Sequence, residues 1–412
     1  MKHQTNIFYS KDFLILILGQ VISLFGNAIL RFSIPLYLLS SSGSTIAFSL
    51  NLAISVLPII FLSPINGLIA DLFPKRNTMI LLDLTTSLIA LSGLFVLKSA
   101  QPFFLFTIIT LWLSIIQAIY QPTVLSSIPL LIPKRAVGKA NALVNQVQSL
   151  ANIIGPALGG ILFHSFGIQS IIVLAIISFA VSALVECFMQ IPKLEIKKGN
   201  SLFRTIKEDT LACFDFFKHK RILLEISLLV TTFNLFFESM LLIGIPQIIL
   251  NLLHLDSTFY GLTQAAQSLG ALAGGLILTI FIDRFQIALS YWFFASTLLF
   301  LLPIPIVMLL ELPAISIAAV ICLCCFLFMI SSTIFSIMMI SFIQSITPHH
   351  LMGKIISYVY ALTTCARPVG QLMYGYLFEA YSNYAAFILF ATILVNVLVS
   401  FYAKKILSKI RT

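Results

Sequence analysis

The chain has 412 residues, of which 59% are hydrophobic and 9% charged; soluble domains average roughly 45–50% and about 25%. No soluble core of this size hides that much apolar surface, which excludes a cytosolic enzyme, a nucleic-acid binder and a secreted disulfide scaffold. The formal net charge of +10 is not a nucleic-acid face, because the charges sit in short loops between apolar spans, as membrane topology requires.

A spanning helix needs about 20 apolar residues. In chain order, the apolar runs predict spans at 13–39, 46–70, 78–97, 102–129, 140–163, 168–190, 222–250, 258–282, 288–310, 313–345, 354–379 and 383–403, twelve in all. Lys2 and Lys11 precede a first run longer than a signal-peptide core, with no small-x-small cleavage site after it, so this helix is expected to remain as an anchor. With the N-terminus placed in the cytoplasm, all but three of the 24 Lys and Arg fall on the inner side; Lys98 falls outside, and Arg31 and Arg367 fall within spans. That asymmetry predicts both termini in the cytoplasm. The polar stretch 191–221 divides the chain into two six-helix halves, 1–190 and 222–412. Its Phe and Ile among lysines fit an amphipathic helix on the inner leaflet or a solvated linker.

The halves echo each other. Pro133-Lys-Arg-Ala-Val-Gly138-Lys139 precedes span 5 and Pro348-His-His-Leu-Met-Gly353-Lys354 precedes span 11, at an offset of 215 that also carries Gly155 to Gly370 and Gly160 to Gly375. Two parallel six-span repeats are a common build of secondary transporters. The expected fold class is therefore an all-α membrane protein of twelve helices in two pseudo-symmetric halves.

Polar side chains within spans are expensive and face a bundle interior or a water-filled cavity. Four stripes recur at helical spacing: Gln20, Ser23, Asn27 and Arg31 in span 1; Asn141, Asn145, Gln148 and Asn152 in span 5; Ser227, Thr231, Asn234 and Glu238 in span 7; Tyr360, Thr364, Arg367 and Gln371 in span 11. Together they predict a hydrated pathway, against interhelical glue as the plainer reading. Within it Glu238 is the expected proton-binding switch, with Arg31 or Arg367 as counter-charge; the plainer reading is a fixed ion pair. Asp83, Glu186 and Glu225 lie near the cytoplasmic ends of spans, and Glu311 and Glu379 near the outer ends, where snorkelling or capping is expected. The six cysteines show no metal or disulfide pattern: the Cys322-Leu-Cys324-Cys325 run has no His or carboxylate beside it to complete a ligand set.

The stretch Gly67-Leu-Ile-Ala-Asp71-Leu-Phe-Pro-Lys75-Arg76 resembles the cytoplasmic loop motif of the major facilitator superfamily, although Leu72 and Pro74 depart from it. That resemblance implies a gate, in which Gly67 permits close approach and Asp71 latches a neighbouring helix beside Lys75 and Arg76. Gly155-Pro156-Ala-Leu-Gly159-Gly160 in span 5 resembles the superfamily's antiporter motif, seen mainly in exporters, with Ala151 where the fuller motif has Gly. Leu18-Gly-Gln20-Val-Ile-Ser23-Leu-Phe-Gly26, Leu57-Pro58, Gln121-Pro122 and Ile132-Pro133-Lys134 are similar to the bacterial branch that holds macrolide efflux proteins and enterobactin-type siderophore exporters. The resemblance implies secondary active export of an amphiphilic small molecule across the bacterial inner membrane by alternating access, driven by protons. Span 4 reads Trp112-Leu-Ser-Ile-Ile-Gln117-Ala-Ile-Tyr120, without the Arg that many proton-coupled drug antiporters carry there, which returns the coupling to Glu238.

No Gly-x4-Gly-Lys-Ser/Thr phosphate loop occurs, and the six His lie in tails and loops, so neither ATP hydrolysis nor a membrane-embedded enzyme is expected. Uptake, facilitated diffusion or lysophospholipid flipping on the same scaffold is the alternative, with a transport-dead sensor behind it. The expected partners are a small-molecule substrate, protons and lipid, with the chain as a monomer and no cofactor or metal.

Overall fold

The computed structural model describes residues 10–62, 74–97, 102–133, 136–192, 220–281, 286–287, 290–310, 312–348 and 352–407. All regular structure among them is helical. The helices are α1 (Lys11–Ser42), α2 (Thr45–Leu62), α3 (Lys75–Val96), α4 (Pro102–Leu131) and α5 (Val137–Glu186). There follow α6 (Arg221–Leu252), α7 (Ser257–Phe281), α8 (Tyr291–Met308), α9 (Ala314–Ile346), α10 (Met352–Thr364), α11 (Ala366–Ala380) and α12 (Ala385–Leu407). Ten of them, α1 to α9 and α12, are long and apolar enough to cross a membrane. Large apolar side chains such as Phe61, Phe95, Ile280 and Phe401 are widely exposed, an arrangement that hydrocarbon solvates and water does not.

Two departures from regular helix matter for the expected spans. α5 is continuous over 50 residues, but Gly167 inside it has φ 71° and ψ 177°, a conformation closed to residues with a Cβ. Two arms therefore meet at the point where the sequence predicts a break between spans 5 and 6. α10 and α11 meet at Cys365 and together cover the eleventh expected span. The linker stretch 193–219 and the loop 63–73, which contains Gly67 and Asp71, lie outside the described residues.

The chain forms two compact units: residues 1–37 with 61–200, and residues 38–60 with 201–412. In the first unit α3 packs on α4 and α5. Phe13, Leu16, Met79, Tyr120, Val124, Ala140, Val144 and Met189 form one buried cluster there. In the second unit Gly270 and Gly274 seat α7 against Phe326 and Ile330 of α9, the small-residue packing expected where lipid removes the hydrophobic drive between helices. The core of this unit is aromatic: Phe233 lies 5.4 Å from Phe237, 5.5 Å from Phe294 and 5.9 Å from Phe328, ring centroid to centroid. α2 joins the second unit by its N-terminus, where Glu379 of α11 accepts hydrogen bonds from Ser44 Oγ at 2.7 Å and the backbone N–H of Ile46 at 2.8 Å. A carboxylate there satisfies an orphan N–H and complements the helix dipole, the capping role expected for Glu379.

Candidate functional site

α6 winds as an α-helix through Phe233 and then opens into a π-turn over Asn234–Glu238. Such single wide turns inside α-helices concentrate at functional sites. Ser239 Oγ donates to Asn234 O at 2.9 Å and fills part of the widened turn. α11 approaches this turn at Gly370, where a Cβ would meet the Leu235 carbonyl oxygen and, at 2.8 Å, Ser239 Cβ. The absence of that Cβ lets the α11 backbone lie against the wide turn, which carries Arg367 onto Glu238.

Arg367 Nη2 and a Glu238 carboxylate oxygen form an ion pair. Arg367 also reaches Asn234 Oδ1 at 3.5 Å, and Asn234 donates to the Thr363 carbonyl at 2.7 Å. Both partners of the ion pair keep about a third of their side-chain surface exposed, at 32% and 33%. They line a cavity of about 170 Å³ together with Ser227, Phe233, Asn234, Phe335, Met339, Ile343, Val359, Tyr360 and Thr364. The wall is mostly apolar and aromatic, with one charged pair set into it. An ordinary ligand pocket is built this way: apolar area supplies affinity and a few polar groups fix orientation.

The other predicted residues divide. Thr231 hydrogen-bonds the Ser227 carbonyl at 2.7 Å and the Leu362 carbonyl at 3.4 Å, so it ties α6 to itself and to α10. Gln371 is buried, and its Oε1 has no partner; it stands outside the cavity wall. In the first unit, Arg31 Nη1 donates to Gln117 Oε1 of α4. Of the two expected counter-charges, Arg367 is the one that meets Glu238. Asn145 and Asn152 are exposed, and Gln148 donates to Asn152 Oδ1 at 3.4 Å. Asn27 is buried beside Arg31 and Gln117, with its Oδ1 unpartnered. At Gly155 a Cβ would strike Ala28 of α1, and at Gly159 one would lie 2.8 Å from the Phe32 ring. The Pro156 segment is thus a close-packed seam on α1; Gly160 is buried in the same arm. Of the loop motif, Lys75 donates to Ser126 Oγ at 2.9 Å and Arg76 to the Cys187 carbonyl.

Two acids depart from expectation. Asp83 and Glu186, expected to reach the interface from the span ends, are both 0% exposed. Asp83 accepts from Ser23 Oγ at 2.9 Å, and Glu186 from Tyr120 Oη at 2.7 Å. Depth near a span end does not decide direction: both acids sit on helix faces that pack inward against α1 and α4. The same acids share a readable signal with the four stripes, since Ser87 follows Asp83 by four residues and Ser178 and Ser182 precede Glu186 by eight and four. Glu225 pairs with Arg221 at 3.2 Å. Among the described residues no group of three or more His, Cys, Asp or Glu is arranged to hold a metal ion.

A bundle of apolar helices with a charged pair set into an apolar cavity is the build of a polytopic membrane protein with a candidate ligand site. A family model described as transmembrane secretion effector, within the major facilitator superfamily, matches residues 6–409, and the chain belongs to that family. It is 24% identical over 269 residues to macrolide efflux protein A of Streptococcus pyogenes, covering 64% of this chain and 65% of that protein's length. It is 26% identical over 375 residues to the MFS-type transporter YfiS of Bacillus subtilis (strain 168), covering 88% and 86%. Solved structures share the fold: a bacterial homologue of the iron transporter ferroportin in its inward-facing state (TM-score 0.71, 16% identity, 96% and 98% covered) and the nucleoside transporter NupG (TM-score 0.72, 12%, 97% and 100%). The chain is a multi-pass helical membrane protein of a transporter family rather than an enzyme family, and its relatives include proteins named macrolide efflux protein A.

Proposed function

We propose that this chain is a proton-coupled exporter of an amphiphilic small molecule, such as a drug, a macrolide-like compound or a siderophore. It works by alternating access in the bacterial inner membrane, as a monomer with both termini in the cytoplasm. The observation that carries the reading is the Glu238–Arg367 pair on the wall of an apolar cavity. In this reading protonation of Glu238 removes its charge and releases Arg367, while loss of the proton restores the pair; both side chains line the cavity and are about a third exposed. Export rather than uptake is supported by the macrolide efflux relatives and by the seam around Pro156.

Twelve crossings follow if α5 counts as two spans at Gly167 and α10 with α11 as one. The repeat supports this reading. Gly155 seats its helix on α1 and Gly370 seats α11 on α6, at equivalent places in the two units. The same four-residue step separates Asn27 from Arg31 in α1 and Asn234 from Glu238 in α6. The cavity of the second unit, about 170 Å³, is smaller than the ~300–1,000 Å³ of drug-sized pockets, so it holds one part of a bulky substrate.

Counterflow exchange separates the two halves of this proposal. Glu238→Gln is expected to retain substrate exchange across vesicle membranes while losing all acceleration by a pH gradient. A variant that keeps gradient-driven accumulation rules Glu238 out as the coupling group.

A further inference from the structure

In the first unit lies a pair of buried acids that the Glu238 reading does not use. Asp83 of α3 and Glu186 at the end of α5 are both fully buried against the same face of α1, Asp83 at Ser23 and Glu186 one helical turn away at Gly19. Ser23 of α1 donates to the first and Tyr120 of α4 to the second. Each carboxyl keeps one oxygen, Asp83 Oδ2 and Glu186 Oε2, without a hydrogen-bond partner. Gly19 of α1 is what admits Glu186, since a Cβ there would lie 3.1 Å from Glu186 Cγ.

The surrounding charges do not neutralise them. On α1, Asp12 accepts from the Gln190 N–H at 2.8 Å and Arg31 donates to Gln117. On α3, Lys75 donates to Ser126 and Arg76 to the Cys187 carbonyl. α4 contributes the Tyr120 phenol. The second arm of α5 faces the pair with Ser182, whose hydroxyl donates to the Gly19 carbonyl at 2.9 Å. Among the described residues no cation is in salt-bridge contact with either carboxyl. Two carboxyls buried one helical turn apart along α1, without a cation, resist ionising together.

An independent feature adjoins them. Ser23 and Tyr120, the two residues that hold the carboxyls, also line a small chamber with Asn27, Gln117 and Gln121. Its volume is about 10 Å³, room for roughly one water. Asn27, only 8% exposed, lines it with an unpartnered Oδ1, and Gln121 Oε1 is unpartnered as well. Leu24 and Ile116 complete its wall beside these polar side chains, and Gln117 is also the residue that accepts from Arg31.

We propose that Asp83 and Glu186 form a reversible proton-binding site inside the first unit, which exchanges its proton with water in the adjoining chamber through the Ser23 and Tyr120 hydroxyls. With one proton shared between the carboxyls the site carries a single negative charge. Uptake of a second proton from the chamber makes it neutral, and release returns that proton to the chamber water. The site is a statement about proton binding within one unit and stands whether or not Glu238 couples transport.

Infrared titration of the protein in lipid bilayers tests it. Isotope labelling of Asp or of Glu carboxyls in the unmutated chain shifts the protonated-carboxyl C=O band of each residue type, so the measurement does not depend on any variant folding. A band from a protonated carboxyl is expected at neutral pH, growing as the pH falls and shrinking as it rises. It should be lost from the Asp set in Asp83→Asn and from the Glu set in Glu186→Gln, and be retained in Glu238→Gln. The proposal is overturned by a neutral-pH spectrum with no protonated carboxyl. It is equally overturned by a band that survives both amide variants, or by one whose amplitude is the same at every pH, which marks a fixed structural hydrogen bond.

Discussion

Glu238 is a carboxylate held by Arg367 on one side and open to a cavity on the other, and that exposure decides what its replacement does. A pair that is a third exposed contributes little to stability, about 1 kcal/mol at most, so Glu238→Gln is expected to melt within a few degrees of the unmutated protein while its pH response is lost. Thermal denaturation alongside transport checks both parts. Tyr360 makes a second case. It is half exposed and lines the cavity without belonging to the core, so Tyr360→Ala is expected to weaken binding of an aromatic substrate about tenfold, or about 1.4 kcal/mol, at nearly unchanged stability. Binding titration against melting separates these, and equal losses in both would place Tyr360 in the core. The Asn234, Glu238 and Arg367 set was legible in the sequence because membrane cost confines polar groups to wet or buried faces at helical spacing. Asp83 and Glu186 were not read the same way, because position along a span measures depth and says nothing about which neighbour the face meets.

On the scale of helices, the spans were legible and their internal geometry was not. Hydropathy marks where a helix must hide its backbone polar groups from lipid, which is why α1, α3, α4, α6 to α9 and α12 fall within a few residues of the expected boundaries; α2 begins where expected, and its expected end at 70 lies outside the described residues. A π-turn leaves no comparable trace, since it changes the winding and not the composition; only Gly370 on the facing helix hints that something wider stands opposite. Gly370→Ala is therefore expected to push α11 off the wide turn, costing about 1–3 kcal/mol and separating Arg367 from Glu238. Gly275→Ala is the control, because a Cβ there has its nearest neighbour at 4.0 Å. Melting temperatures of the two should differ by several degrees, and equal values would show that the α6–α11 contact tolerates a methyl group. Gly167 differs again: nothing lies within 4 Å of an added Cβ, so Gly167→Ala pays only backbone strain, of order 1–3 kcal/mol, and is expected to destabilise without altering substrate binding.

Across the whole molecule, the central claims are the twelve crossings and the direction of transport. In a chain stripped of its native cysteines, Ser41→Cys at the C-terminal end of α1 and Ser165→Cys at the bend of α5 are expected to react with a membrane-impermeant maleimide on intact cells. Lys193→Cys in the central polar stretch is expected to react only after the cells are opened. Labelling of Ser165→Cys from the inside alone would break the alternation on which the count of crossings rests.

The most direct test of the proposed function is transport by the purified chain in sealed vesicles, offered a macrolide, a cationic dye and a catecholate siderophore under an imposed pH gradient. Accumulation of one of these against its own gradient, opposite to proton flow and collapsed by an uncoupler, is the predicted result. Movement only down the substrate's own gradient, at a rate indifferent to pH and to Glu238→Gln, would contradict proton-coupled export and leave the Glu238–Arg367 pair as a structural contact.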